Sequence, residues 1–248
     1  MLLSTPKITR QKNWWQRIGS MLGTQLFPVY CVGCDTYGTV LCDSCVTLLP
    51  PYPQHCPHCA EASELGLTCT AHQKTTTLDG LYAATIYRTP LMDYLVHALK
   101  YQFAYTLAPR LGQFMVSRLH PMLPRPDVVV AVPLHSRRLR WRGFNQAELL
   151  AQPIRQHFGL REVDTEKILR TKYTKPQAKT VDKEERLRNL SGAFSHTTQT
   201  VAEEKLPLAG QTVWLVDDVA TTGATLAECA RALRTAGARY VYGIVLCR

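Results

Sequence analysis

The sequence predicts an α/β protein, a mostly parallel sheet flanked by helices, preceded by a small module organised around metal ions. Strand-like and helix-like stretches alternate from about residue 80 onward, the order that builds parallel sheets. Two of the strand candidates are continuous apolar runs, as expected of strands covered on both faces. Seven of the nine cysteines fall between positions 31 and 69, six of them as CxxC pairs. A length of 248 residues suits one large domain or a medium and a small one. An apolar fraction of 46% with 19% charged residues excludes a disordered chain, a collagen-like repeat or a solenoid.

Residues 1–27 form the first segment. Lys12 to Phe27 spaces Trp14, Trp15, Ile18, Met21, Leu22 and Leu26 at roughly helical intervals. Such a stripe packs on a neighbouring domain or rests on a membrane surface, and packing is the commoner use. The uncharged run Ile18 to Cys34 spans 17 residues and is interrupted by glycines and Pro28, too short and polar for a bilayer span. Lys7, Arg10, Lys12 and Arg17 are not followed by the clean apolar stretch of a signal peptide. The expected location is the cytoplasm, with peripheral contact to the inner membrane as the role of the stripe if it meets lipid.

Residues 28–75 carry the metal pattern. Cys31-x2-Cys34, Cys42-x2-Cys45, Cys56-x2-Cys59 and Cys69-x2-His72 are four knuckles, enough for two closed tetrahedral zinc sites. Disulfides are disfavoured in the expected compartment. Sequential pairing groups Cys31, Cys34, Cys42 and Cys45 around one ion and Cys56, Cys59, Cys69 and His72 around the other; an interleaved pairing uses the same eight ligands. His55 and His58 are rivals to His72, which is favoured as the end of a CxxC-like pair. Closed shells leave no position for a reacting water, so these zincs are expected to be structural.

Residues 76–248 alternate. Leu81–Tyr87 reads as a strand and Pro90–Lys100 as a helix with Pro in its first turn. Val128–Val132 is a buried strand, Phe144–Phe158 a helix, Gln211–Val216 a second buried strand, Ala224–Ala236 a helix ending at Gly237, and Arg239–Leu246 a last strand. Cys229 and Cys247 read as buried small hydrophobes. Ligands of such sheets bind beyond the carboxyl ends of the strands, which directs attention to the segments after Val132 and Val216.

Asp217 and Asp218 stand where the second buried strand is expected to end. They can accept hydrogen bonds from a vicinal diol such as that of ribose, or meet a metal ion. Val219-Ala220-Thr221-Thr222-Gly223-Ala224-Thr225 then forms a small, hydroxyl-rich turn opening a helix. There the N–H groups and the positive end of the dipole receive a phosphate. After Val132 comes Pro133-Leu134-His135-Ser136-Arg137, followed by Arg138, Arg140 and Arg142, an arginine cluster without a carboxylate and suited to a polyanion. The net charge of +10 is concentrated in residues 76–160, which carry +6, and 161–248, which carry +3. An anionic partner is therefore expected at the C-terminal two thirds.

Val213-Trp-Leu-Val-Asp-Asp-Val-Ala-Thr-Thr-Gly-Ala-Thr225 resembles the phosphoribosyl pyrophosphate (PRPP) motif of type I phosphoribosyltransferases. With the cysteine-rich N-terminal module, Arg142-Gly-Phe-Asn-Gln-Ala147, and Gln177–Phe194 containing Arg186, Asn189 and Gly192, roughly residues 20–248 resemble the competence protein F family, which also includes the protein called GntX. The resemblance implies a double zinc ribbon followed by a type I phosphoribosyltransferase-like domain. It implies that Asp217 and Asp218 bind the ribose hydroxyls of PRPP, that Thr221 to Thr225 hold its 5-phosphate with Ala220 also among the PRPP-binding residues, and that Leu134, His135, Ser136 and Arg137 hold pyrophosphate. Mg2+ accompanying PRPP is implied as well.

The resemblance further implies a link to DNA uptake in natural transformation, with single-stranded DNA and a competence helicase or other uptake proteins as partners. Arg138, Arg140, Arg142, Lys172 and Lys175 are the nucleic-acid candidates, and Tyr101, Phe103, Tyr105, Trp141 and Phe144 the candidates for base stacking. The stretch Arg170, Lys172, Lys175, Pro176, Gln177, Lys179 is a candidate lid. No general base is identified: Thr221 stands where purine-salvage relatives carry an acid, which argues against purine salvage. Without an N-terminal Cys or room for a glutaminase, a glutamine-using amidophosphoribosyltransferase is disfavoured. Two functions remain, a PRPP-dependent transferase with an unidentified acceptor, or a DNA-handling protein whose PRPP pocket is a sensor or relic.

Overall fold

A computed structural model of the chain describes residues 29–59, 61–101, 104–161, 169–170, 194–195 and 208–248. The stripe of Lys12–Phe27, Phe103, Lys172, Lys175 and the rest of the candidate lid beyond Arg170 lie outside them. The chain divides into two compact units, Met1–Leu49 and Pro50–Arg248.

In the first unit an antiparallel bridge joins Tyr30 and Tyr37 around a turn in which Asp35 has φ 60°. Asp tolerates this left-handed conformation better than most side chains do. Helix α1 (Asp43–Thr47) comes next, capped by the sulfur of Cys42, which accepts from the N–H of Cys45. Leu41 and Leu49 are buried.

The second unit is built on β1 (Gly80–Thr85), β2 (Val128–Ala131), β5 (Thr212–Val219) and β6 (Tyr240–Cys247), in the order β1-β6-β5-β2 with every pair parallel. β3 (Leu169–Arg170) and β4 (Phe194–Ser195) form a separate antiparallel pair. The connecting helices are α2 (Pro90–Tyr101), α3 (Ala104–Arg118), α4 (Ser136–Arg142), α5 (Gln146–Phe158) and α6 (Ala224–Thr235). Side chains alternate across a strand. Val213, Leu215, Val128 and Val130 thus share one core with Leu226, Cys229, Ala230 and Leu233 of α6. Trp214 points the other way, edge-on to Phe158 with ring centroids 5.1 Å apart, and its indole N–H donates to the carbonyl of Pro124 at 3.0 Å. Cys229 and Cys247 are both buried.

The elements expected over residues 76–248 are present with shifted ends, and α1, α3, α4, β3 and β4 are additional. α3 carries Pro109 and Gly112 in its interior, which interrupt the helical signal. Gly112 is needed because a Cβ there would lie 2.6 Å from Pro153 of α5 and 3.1 Å from the carbonyl of Leu150. α5 starts at Gln146 because Asn145 caps it, accepting from the N–H of Ala147 at 3.1 Å. The segment leaving β2 is irregular only as far as His135, whose Nδ1 accepts from the N–H of Arg137 and starts α4. β5 runs on to Val219, so Asp217 and Asp218 belong to its last residues instead of following it.

Arg155 of α5 is 3% exposed. Its Nη1 pairs with Glu148 at 2.6 Å and its Nε donates to the carbonyl of Val129 at 3.2 Å, joining α5 to β2. Glu148→Ala strands this guanidinium and should cost about 3–5 kcal/mol in denaturant unfolding, whereas Glu148→Leu with Arg155→Met should be close to neutral. Equal losses in both would refute the stranded charge as the cause. Among the described residues no helix is long and apolar enough to cross a membrane.

Candidate functional site

β5 and β2 are neighbours and parallel, so the segments leaving their carboxyl ends lie side by side. Strand alternation sends Asp217 toward the α6 side of the sheet and Asp218 toward the other. Asp218 is buried and its Oδ2 lies 2.7 Å from Nζ of Lys100, in the last turn of α2. Its Oδ1 accepts from the N–H of Val219 at 3.0 Å, while Oδ1 of Asp217 accepts from the N–H of Asp218 at 2.8 Å. Burial opposes ionisation of both. For Asp218 the Lys100 ammonium outweighs it and holds the carboxyl below the usual range. For Asp217 burial and the Asp218 carboxylate push the carboxyl well above that range. One carboxylate is neutralised from within the protein, and the other is left short of positive charge and donors.

Beyond β5, the N–H of Ala220 donates to the carbonyl of Cys247 at 3.1 Å, and Gly223 caps α6 at φ 74°, where a side chain would be strained. The Oγ1 of Thr222 accepts from the N–H of Ala224 at a long 3.4 Å. Thr221 is exposed. The opening turn of a helix leaves N–H groups without intrahelical acceptors, and here that turn stands at the sheet's carboxyl edge, an arrangement able to receive an anion.

On the β2 side, Ser136, Arg137 and Arg140 are exposed, and Leu134, His135 and Arg138 half-buried. Asn145 fixes the turn from behind by donating to the carbonyl of Val132 at 3.0 Å. Arg142 lies over the ring of Tyr101 at 5.1 Å and donates to Gln146 at 2.6 Å, while its Nε is buried without a hydrogen-bond partner among the described residues. Lys100 was not legible as a site residue, because a basic residue in the last turn of a helix is ordinary dipole complementation.

The candidate metal ligands come together in the sequential grouping. Cys31, Cys34, Cys42 and Cys45 form one group and Cys56, Cys59, Cys69 and His72 another, each with its ligand atoms within 4.8 Å of one another. His55 and His58 are in neither; His58 stacks on His72, centroids 5.7 Å apart. The N–H groups of Cys42 and Cys69 point at the sulfurs of Cys31 and Cys56, at 3.3 and 3.4 Å. Four soft donors with N–H groups directed at the sulfurs suit zinc, which would hold each knuckle pair together.

Residues 145–248 match the phosphoribosyl transferase domain. The chain is 35% identical to DNA utilization protein YhgH of Salmonella typhi over 215 residues, covering 84% of this chain and 90% of that one. The chain belongs to the family of DNA utilization protein YhgH and competence protein F. YhgH of Escherichia coli K12 is 35% identical over 200 residues, covering 78% of this chain and 83% of its own. Competence protein F of Haemophilus influenzae is 29% identical over 215 residues, covering 84% and 85%. In this YhgH and competence F member the matched domain runs from the cap of α5 through β5, α6 and β6, and so contains Asp217 to Thr225.

Proposed function

We propose that the chain binds PRPP with Mg2+ at the carboxyl end of β5 and is a phosphoribosyltransferase-family protein acting in DNA uptake, with transfer of phosphoribosyl to an unidentified acceptor as its reaction. In this reading residues 28–75 act as the zinc ribbon module and 76–248 as the transferase-like domain. The observation that carries it is the asymmetric pair at the end of β5: Asp218 already paired with Lys100, and Asp217 short of donors, directly before a hydroxyl-rich turn into α6. Ribose hydroxyls supply donors to Asp217. Thr221 to Thr225 and the first N–H groups of α6 receive the 5-phosphate. Leu134 to Arg137 take the pyrophosphate. Mg2+ would neutralise the leaving diphosphate, and Asp217 is a carboxylate suited to hold it. The assignment to DNA uptake rests on the names of the relatives. Calorimetric titration of PRPP with Mg2+ into the zinc-loaded chain tests the pocket; no binding would overturn it.

A second reading, the handling of single-stranded DNA, is favoured by an aromatic and basic face at the ends of α2 and α4. Trp141 is 72% exposed, Tyr105 67% and Tyr101 51%; Trp141 meets Tyr101 edge-on at 6.0 Å, and Tyr105 meets Phe144 at 5.6 Å. Arg138 and Arg140 flank them in sequence. Trp141→Ala should then weaken oligonucleotide binding by about 1–3 kcal/mol. Replacing Arg138 and Arg140 by Ala should lower the slope of log affinity against log salt by about 0.7 for each phosphate no longer neutralised. Affinity independent of salt, or unchanged by Trp141→Ala, would count against this face.

A further inference from the structure

The two carboxylates at the end of β5 differ in what a cation can reach. Asp217 is half-buried, whereas Asp218 is buried with both oxygens engaged. Its Oδ1 accepts from the N–H of Val219 at 3.0 Å, and its Oδ2 lies 2.7 Å from Nζ of Lys100. Its carbonyl accepts from Sγ of the buried Cys247 at 3.7 Å, so packed protein stands behind it. Among the described residues, Lys100 is the one side-chain cation paired with either carboxylate. Arg142, a nearby cation, is turned to Gln146 and to the ring of Tyr101.

The ammonium of Lys100 is held in place by its helix. At the start of α2, Oγ1 of Thr89 accepts from the N–H of Met92 at 3.2 Å, and the hydroxyl of Tyr87 donates to Asp93 at 2.8 Å. Met92, Leu95, Val96, Ala98 and Leu99 bury its inner face. At its end Tyr101 meets Trp141 edge-on. The Lys100 side chain is 24% exposed and that of Asp218 6%. Exposed ion pairs contribute little, but here screening is weak, and loss of one partner strands a buried charge.

The same arrangement bars a divalent ion from Asp218. Mg2+ bonds a carboxylate oxygen at about 2.0–2.1 Å and keeps several waters around itself. On Oδ2 it would stand against the ammonium, like charge beside like charge, and the buried side chain leaves little surface for its waters. Asp217 has neither obstacle.

We propose that Lys100 is a built-in cation that takes the place of a divalent ion at Asp218, so that the site holds PRPP with one divalent ion, at Asp217. Lys100 is a positioning residue in this role: it acts through Asp218, keeping that carboxylate compensated and turned into the protein. The identity of PRPP rests on the reading above; the equivalence of Lys100 and a metal ion does not.

Mn2+ alone, a countable stand-in for Mg2+, tests that equivalence by thermal unfolding of the zinc-loaded full chain. Lys100→Met should lower the midpoint by about 6 °C or more, because it strands a buried carboxylate. Millimolar Mn2+ should then recover about half of the loss or more, while moving wild type far less. Lys100→Met with Asp218→Asn should recover the loss without metal and gain no more from Mn2+ than wild type does. Lys100→Arg, which keeps the charge, should respond to Mn2+ as wild type does. Equal Mn2+ shifts in wild type and Lys100→Met, or in Lys100→Met with and without Asp218→Asn, overturn the proposal, as does a Lys100→Met variant as stable as wild type. If Lys100→Met alone fails to fold, the double variant should fold; a double variant that also fails overturns it. With PRPP added, paramagnetic resonance should count one bound Mn2+ per wild-type chain and two per Lys100→Met chain, and equal counts count against it. Wild type that binds no PRPP removes the PRPP reading and leaves the Mn2+ shifts to decide the role of Lys100. PRPP binding with equal Mn2+ shifts does the reverse.

Discussion

Asp217→Asn combined with Asp218→Asn should reduce Mg2+-dependent PRPP affinity by about 10²- to 10⁴-fold in calorimetry, because hydrogen bonds to charged groups are worth about 1.5–3 kcal/mol each. Unchanged affinity in a folded double variant would remove the site. The single variants should separate in stability. The folded chain holds the Asp217 proton more tightly than the unfolded chain does. From the unfolded value of about 3.9 up to the raised folded value, the native state therefore binds more protons, and stability falls as pH rises. Asp217→Asn removes that penalty and should raise the unfolding midpoint at pH 7, by about 2–4 °C for each kcal/mol relieved. Asp218 has the opposite sign: its carboxyl is held low against Lys100, so its contribution is present above about 3.9 and is lost as pH falls through the folded value. Asp218→Asn leaves Lys100 beside a neutral amide and should lower the midpoint at pH 7. A site that costs stability at Asp217 and recovers part of it at Asp218 is expected where a ligand completes the arrangement.

Removal of the second metal should be the most damaging change to the fold. Cys56, Cys59, Cys69 and His72 belong to the unit that contains the sheet, and their segment is hydrogen-bonded to β1 and the residues just before it through Gln54, Gly66 and Thr68. Structural zinc in small peptides contributes about 10–16 kcal/mol at pH 7, so Cys69→Ser should lower the main unfolding transition by more than about 10 °C. Cys34→Ser, in the other compact unit, should release one zinc while leaving that transition nearly in place. Metal analysis of protein purified without chelator should find two zinc ions per chain. A content near zero, or identical shifts in the two variants, would contradict this division.

Legibility tracked the range of the interactions. The CxxC spacing is local, so the ligands could be named from sequence, while the choice between sequential and interleaved pairing needed the fold that brings Cys59 within 3.8 Å of Cys69. β2 and β5 were readable because a strand covered on both faces must be apolar throughout. α3 was not, because Pro109 and Gly112 look like breaks until Gly112 is seen to admit Pro153. α4 was hidden in an arginine run with no apolar periodicity and no buried residue, held by the His135 cap and by Gly143 at φ 80°.

From the sequence alone came the α/β class, two sets of metal ligands, and the short stretch Asp217 to Thr225 whose chemistry sits in consecutive residues. Tertiary structure alone decided three further things: that Lys100 pairs with Asp218 and leaves Asp217 short of charge, that the second metal cluster is bonded to the edge of β1, and that Tyr52 and Arg248 line one groove with Thr221. Each joins residues far apart in the chain. No periodicity or spacing encodes such pairs, since they are set by which strand lies beside which and by how closely the packed backbones approach.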